Sequence, residues 1–224
     1  MKRGLTILLV LLSFLTVVFP ASALQYNLGV NYSGDKPLFD APWLTATFED
    51  TEKAGVVKLT MSSMGLASTE FVTEWTFNLK PSFDAANLTF EYVSGNLASK
   101  SGAKNNEFKA DGDGSYDIEF QFATAGERRF DPGEDAVYLI YSSETGLNAL
   151  SFASKSDPGN VSLGGPFATA AHVQGIPKGM FVPNGSGWIA DPGVAIPGPV
   201  PEPGTLLLLG LGLLGIGIIM RELF

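Results

Sequence analysis

Oxygen-bearing side chains alternate along Asp111-Gly112-Asp113-Gly114-Ser115-Tyr116-Asp117, a spacing that lets a tight loop wrap a hard cation. Asp111, Asp113, Ser115 and Asp117 are the candidate metal ligands, and calcium is the cation they suit. The EF-hand pattern is incomplete, because Tyr116 stands where that loop needs glycine and Phe122 where it needs glutamate. Asp-Gly is also a favoured hairpin turn, so the same residues predict a turn opening a strand over 116–122. Beyond calcium at this turn, no cofactor is expected.

His172 is the only histidine. No Gly-x-Ser-x-Gly elbow accompanies it, and a single imidazole without cysteine cannot build the usual zinc site. It reads as a hydrogen-bonded histidine in a small-residue strand. Glu134 with Asp135, and Asp117 with Glu119, have the residue types for acid–base work on a glycoside. Acidic residues alternate on strand surfaces throughout so acidic a chain, however, and no enzymatic activity is expected. Trp43, Trp75 and Trp188 are the side chains able to stack on sugar rings. Trp75 sits in an apolar stripe and belongs to a core. Trp188, between Gly187 and a proline-rich stretch, is the candidate ligand-binding residue.

The 224 residues carry a formal net charge of −9. That balance argues against nucleic acid as a partner, since phosphate neutralisation needs clustered Lys and Arg. It suits divalent cations or neutral polysaccharide. With no cysteine there is no disulfide, no thiolate metal site and no cysteine nucleophile. Stability must come from apolar burial, for which 16 Phe, 6 Tyr and 3 Trp are available.

The elements that position these residues read as strands. Phe71, Thr73, Trp75, Phe77 and Leu79 share one face of a period-two pattern, with Val72, Glu74, Asn78 and Lys80 opposite. Leu88, Phe90 and Tyr92 repeat it, as do Tyr116, Ile118, Phe120 and Phe122. Trp43 to Glu49 and Val56 to Met61 predict a hairpin, and Val137 to Tyr141 a central strand. Leu150 with Phe152, and Val161 with Leu163, suggest two more strands, while residues 96–110 read as a mobile loop. Nine or ten short strands between Gly, Asp and Pro turns predict a single antiparallel β-sandwich, with a jelly roll as its candidate topology. This all-β body spans 24–190, and a Pro/Gly-rich linker follows over 191–199.

Both ends carry addresses. Lys2 and Arg3 precede an apolar run from Leu5 to Phe19, and Ala21-Ser22-Ala23 supplies the small-residue pattern of signal-peptide cleavage, so residues 1–23 are expected to be removed after Ala23. At the other end Val200-Pro201-Glu202-Pro203 is followed by an uncharged run over 204–220 and then by Arg221. As a helix that run is about 25 Å long, slightly short of a hydrocarbon core of roughly 30 Å, and it is the expected transmembrane helix. Arg221 favours the cytoplasm, which places the body outside.

Residues 200–224 resemble the PEP-CTERM sorting signal of Gram-negative bacteria, a tail also described as the C-terminal domain of some ice-binding proteins. The resemblance implies that the exported chain is held transiently in the inner membrane until exosortase, a membrane-embedded cysteine peptidase, processes it near Val200, Pro201, Glu202 and Pro203. One departure is plain. The family usually ends in several arginines, and here Arg221 stands alone. The blocks Ala171-His172-Val173-Gln174 and Ser186-Gly187-Trp188-Ile189 resemble stretches near the end of many such proteins. The family's association with exopolysaccharide, biofilm and floc formation implies a secreted or cell-surface, non-enzymatic matrix component. The alternative is a carbohydrate-binding module, calcium-assisted at the 111–117 turn. Ice binding would call for regular Thr-x-Thr ladders, and only Thr45-Ala46-Thr47 has that form.

Overall fold

The computed structural model describes residues 22–157, 165–178, 182–191 and 193. These fold as two antiparallel sheets. In spatial order the first runs β1 (Ala23–Leu28), β3 (Leu44–Asp50), β4 (Val56–Ser62), β9 (Asp135–Ser142) and β6 (Leu88–Gly95). The second runs β2 (Val30–Gly34), β11 (Val182–Asp191), β10 (Thr169–Lys178), β5 (Phe71–Phe77), β8 (Ser115–Gln121) and β7 (Lys100–Lys109). The chain crosses between sheets at β1–β2, β2–β3, β4–β5, β5–β6, β6–β7, β8–β9 and β9–β10, as jelly rolls do. The predicted sandwich is therefore observed.

The core lies between the sheets because one face of each strand is apolar. Leu44, Ala46 and Phe48 of β3, Val57, Leu59 and Met61 of β4, and Trp75, Phe77, Ile118 and Phe120 from the facing sheet join one cluster. Phe48 is central to it, edge-on to Phe77 at 5.3 Å and stacked on Phe152 at 4.3 Å.

Strict alternation fails in β5. Opposite β10, Val72 pairs with Val173 and Glu74 with His172, so Thr73 is an extra residue with no partner. Such a bulge shifts the phase of the side chains. Val72 thereby joins Trp75 in the core instead of lying on the opposite face.

Two other expectations are corrected. Residues 96–110 are not a loop, since 100–109 form β7, paired with β8. As an edge strand it buries little and keeps lysines, so it lacks the apolar alternation that marks a strand. Leu150 and Phe152 lie in a short 3-10 turn, Ala149–Phe152, that drops Phe152 onto Phe48. The strand expected at Val161 and Leu163 falls outside the described residues. So do Ala21, most of the signal peptide, nearly all of the linker, and the sorting segment with Val200, Pro201, Glu202, Pro203 and Arg221. Ala23 opens β1 opposite Glu49. Among the described residues no helix is long and apolar enough to cross a membrane, and the expected span over 204–220 is not among them.

Candidate ligand-binding face

The outer face of the six-stranded sheet gathers the side chains that can do chemistry. Ala171, Val173 and Ile189 turn into the core, so His172 and Trp188 turn outward. Register then aligns them. His172 stands opposite Trp188, Glu74 flanks His172 on β5, Gln121 follows on β8, and Lys100 ends the row on β7. Four inter-strand steps make this row about 19 Å long. The rings of His172 and Trp188 are stacked, with centroids 5.0 Å apart and planes 19° from parallel. Both side chains are half-buried.

The base of this stack is built locally. Gly187 lets the 33–35 backbone close against β11, since a Cβ there would lie 2.0 Å from the Asp35 carbonyl oxygen. Asn31 Nδ2 pins the bend, donating to the carbonyls of Ser33, Asp35 and Trp188 at 3.1, 3.2 and 3.3 Å. Trp188 also rests against a small second cluster of Ala110, Tyr116, Phe167, Ala170 and Ala190, completed by Val30, Tyr32 and Phe108.

Thr73, the bulge residue, places its Oγ1 2.9 Å from His172 Nδ1. Burial lowers the His172 pKa below its ordinary value of 6.5, and the charge of Asp111 opposes that shift. The imidazole is thus neutral at pH 7 and offers a polarised edge beside an indole. Asp111 reaches this neighbourhood from the β7–β8 turn, accepting a hydrogen bond from Ser33 Oγ.

Glu74 and Glu119 come within hydrogen-bonding reach of each other, with Gln121 Nε2 donating to Glu119 Oε2 at 2.8 Å. Burial first, then the charge and hydrogen bond of Glu119, push the Glu74 carboxyl up to about 7, with Lys100 pulling the other way. The stability held by the protonated form is complete below the ordinary value of 4.5 and is lost as pH rises through about 7. Glu74→Gln removes this titration. Its melting temperature relative to wild type should therefore climb by a few degrees from below pH 4.5 to above about 7. A constant offset across that range in thermal unfolding would contradict the raised Glu74 carboxyl.

The four candidate calcium ligands do not converge. Asp113 is fully buried, accepting from the Tyr116 hydroxyl and, at 3.4 Å, from the Phe167 amide. Ser115 Oγ accepts from Lys109 Nζ. Asp117 accepts from the Leu79 and Asn106 amides at 2.9 and 2.8 Å. Asp111 faces Ser33. Among the described residues no three carboxylate or imidazole groups stand close enough to share a metal ion. Calcium should therefore leave the melting temperature of wild type and of Asp111→Asn/Asp113→Asn unchanged. A chelator-reversible rise in wild type that the variant lacks would reinstate the site.

The structure thus brings Trp188 and Asp111 to one neighbourhood and leaves Asp113, Ser115 and Asp117 to structural work. Trp43 is 2% exposed and Trp75 fully buried, so no three-tryptophan platform exists. Of the paired carboxylates, Glu134 Oε2 is committed to Asn96 Nδ2 and the Asp131 amide, at 3.0 and 2.9 Å. The residues that sequence reasoning missed are His172, as a ring partner, and Glu74, as the partner of Glu119. Outward placement of each was legible from alternation, but the strand order that makes them neighbours was not.

Comparisons with known proteins bear on the C-terminal segment more than on the body. Residues 199–221 match the PEP-CTERM protein-sorting motif, which marks the chain as an exported, exosortase-sorted protein. No curated protein matches the chain. Among solved structures it is similar to a scaffoldin carbohydrate-binding module of family 3b from the cellulosome of Bacteroides cellulosolvens. That similarity has 14% identity and a TM-score of 0.28, covering 84% of this chain and 99% of the other. So low a likeness transfers no residue roles.

Proposed function

We propose that the exported body is a non-enzymatic component of the extracellular polysaccharide matrix and that it holds polysaccharide on the Trp188–His172 face. After transient anchoring in the inner membrane and exosortase processing, the body works at the cell surface or beyond it. One observation carries the binding role. A half-exposed indole stacked on a half-exposed neutral imidazole offers an apolar ledge for a sugar ring, with amide, hydroxyl and carboxylate groups beside it for the ring's hydroxyls. Spacing along the row, one strand step of about 4.8 Å, is close to the length of one sugar unit, which favours an extended chain across the strands.

A glycosidase reading is disfavoured by the same geometry. Its two carboxyl groups must stand at least about 5 Å apart to flank a glycosidic bond. Glu74 and Glu119 are in hydrogen-bond contact, too close to admit one.

The test is a pull-down on polysaccharide from the producing cells, followed by a glycan array. Trp188→Ala is expected to abolish binding, and His172→Ala to weaken it about tenfold, while both keep a cooperative thermal transition. Undiminished binding by folded Trp188→Ala would move the contact elsewhere on the molecule.

A further inference from the structure

The row beside the aromatic stack says which sugars it suits. Glu74 lies one strand step from His172, about 4.8 Å, and two from Trp188. A ring resting on the stack therefore brings its substituents over Glu74 and Glu119. These two carboxyls share a half-desolvated site in which full ionisation sets like charges against each other. Four neighbours bear on them. Burial disfavours the charged form of His172, Asp111 adds negative charge beyond it, and Gln121 gives its amide hydrogen to Glu119. Lys100, exposed on the edge strand, offsets part of the charge, yet no ion pair among the described residues joins it to either carboxyl.

Such a pair is completed by a compact cation that donates several hydrogen bonds. An ammonium group does this, and the aromatic faces attract it as well. A neutral acetamido group supplies one N–H and no charge. A uronate carboxylate would meet like charge, on a chain whose net charge is already −9.

We infer that the polymer held on this face carries protonated amino sugars, their ammonium groups seated at Glu74 and Glu119 while the ring lies on Trp188 and His172. The inference rests on the polysaccharide reading above. Binding ionises Glu74, so its proton leaves to solvent as the ammonium N–H groups take its place. Amine binding is therefore linked to proton release, and neutral-sugar binding is not.

The test is titration calorimetry at about pH 6, below the raised Glu74 value, with four oligosaccharides of equal length: a glucosamine oligomer, its fully N-acetylated counterpart, a neutral glucan and a uronate. Wild type is expected to bind the glucosamine oligomer roughly tenfold or more tighter than the N-acetylated one. The binding heat should vary with the buffer's ionisation enthalpy for the amine ligand only. Glu74→Gln/Glu119→Gln should bind both oligomers alike and lose the proton release, and Trp188→Ala should bind neither. Equal affinity for amine and acetamide in wild type, tighter uronate binding, or a preference that survives in the double Gln variant would each overturn the inference and leave the polysaccharide reading standing. If no oligosaccharide binds in any arm, both fall. The proton-release measurement on wild type decides the matter even if the double variant does not fold.

Discussion

Glu202→Ala is expected to leave the chain exported and membrane-inserted but unprocessed, with the full-length form accumulating wherever exosortase is present. The reason lies in how the tail divides its labour. The uncharged run over 204–220 is expected to supply insertion and Arg221 orientation, and the substitution touches neither. Pro201 and Pro203 lack amide hydrogens and are expected to favour an extended segment, a form suited to a peptidase cleft, with the Glu202 carboxylate as its one charge. Removing that carboxylate should block recognition almost completely. Deleting Arg221 should do the opposite, disturbing orientation or retention while the recognition residues stay intact. An epitope placed after Phe224 separates the two by mass on a blot and by membrane fraction. Loss of the epitope from the Glu202 variant as efficiently as from wild type would mean that the carboxylate is not read.

Trp75→Ala should cost the body about 3–5 kcal/mol, the range for deleting a large aromatic side chain from a core. Trp75 is fully buried between Phe77 and Phe130, with ring centroids 5.8 and 6.5 Å away. Its Nε1 donates to Thr169 Oγ1 at 2.9 Å, and that hydroxyl donates in turn to the Thr76 carbonyl at 2.7 Å. Alanine would open a cavity and leave a fully buried hydroxyl without its donor, so the melting temperature should fall on the order of 10 °C. Trp75→Phe keeps most of the apolar volume and loses the donor, and should fall by clearly less. Trp188→Ala, at a half-exposed ring, should shift the transition least of the three. Equal shifts at positions 75 and 188 in thermal unfolding followed by near-ultraviolet circular dichroism would contradict this assignment of core and surface.

Strands were legible wherever one face is buried and the other wet, as in β3 and β4, because burial imposes alternation on the sequence itself. The signal fails where that constraint is absent. The β7 strand buries neither face well, so its lysines and asparagines read as loop. Leu150 and Phe152 are apolar two residues apart, yet a 3-10 turn is enough to bury Phe152. Thr73 marks a third limit. A bulge inserts one residue against a partner strand, and no local pattern near Val72 announces which strand that partner is.

The sorting address depends on contiguous residues read by other molecules, so the sequence alone determined it, from Val200 to Arg221. The all-β class and the outward placement of Trp188 follow from alternation, which is also local. The binding face does not. His172 looked like an ordinary strand histidine and Glu74 like one more surface acid, because each became something else only when β10 paired with β11 on one side and with β5 on the other. The same folding took Asp113 and Asp117 out of the candidate calcium loop, by burying Asp113 with its Oδ2 against the Tyr116 hydroxyl and by giving both oxygens of Asp117 to the Leu79 and Asn106 amides. Neighbour relations between distant strands are set by the register that best buries two facing sheets. Register belongs to the pair of strands and not to either sequence, and so only the tertiary structure decided what stands beside Trp188.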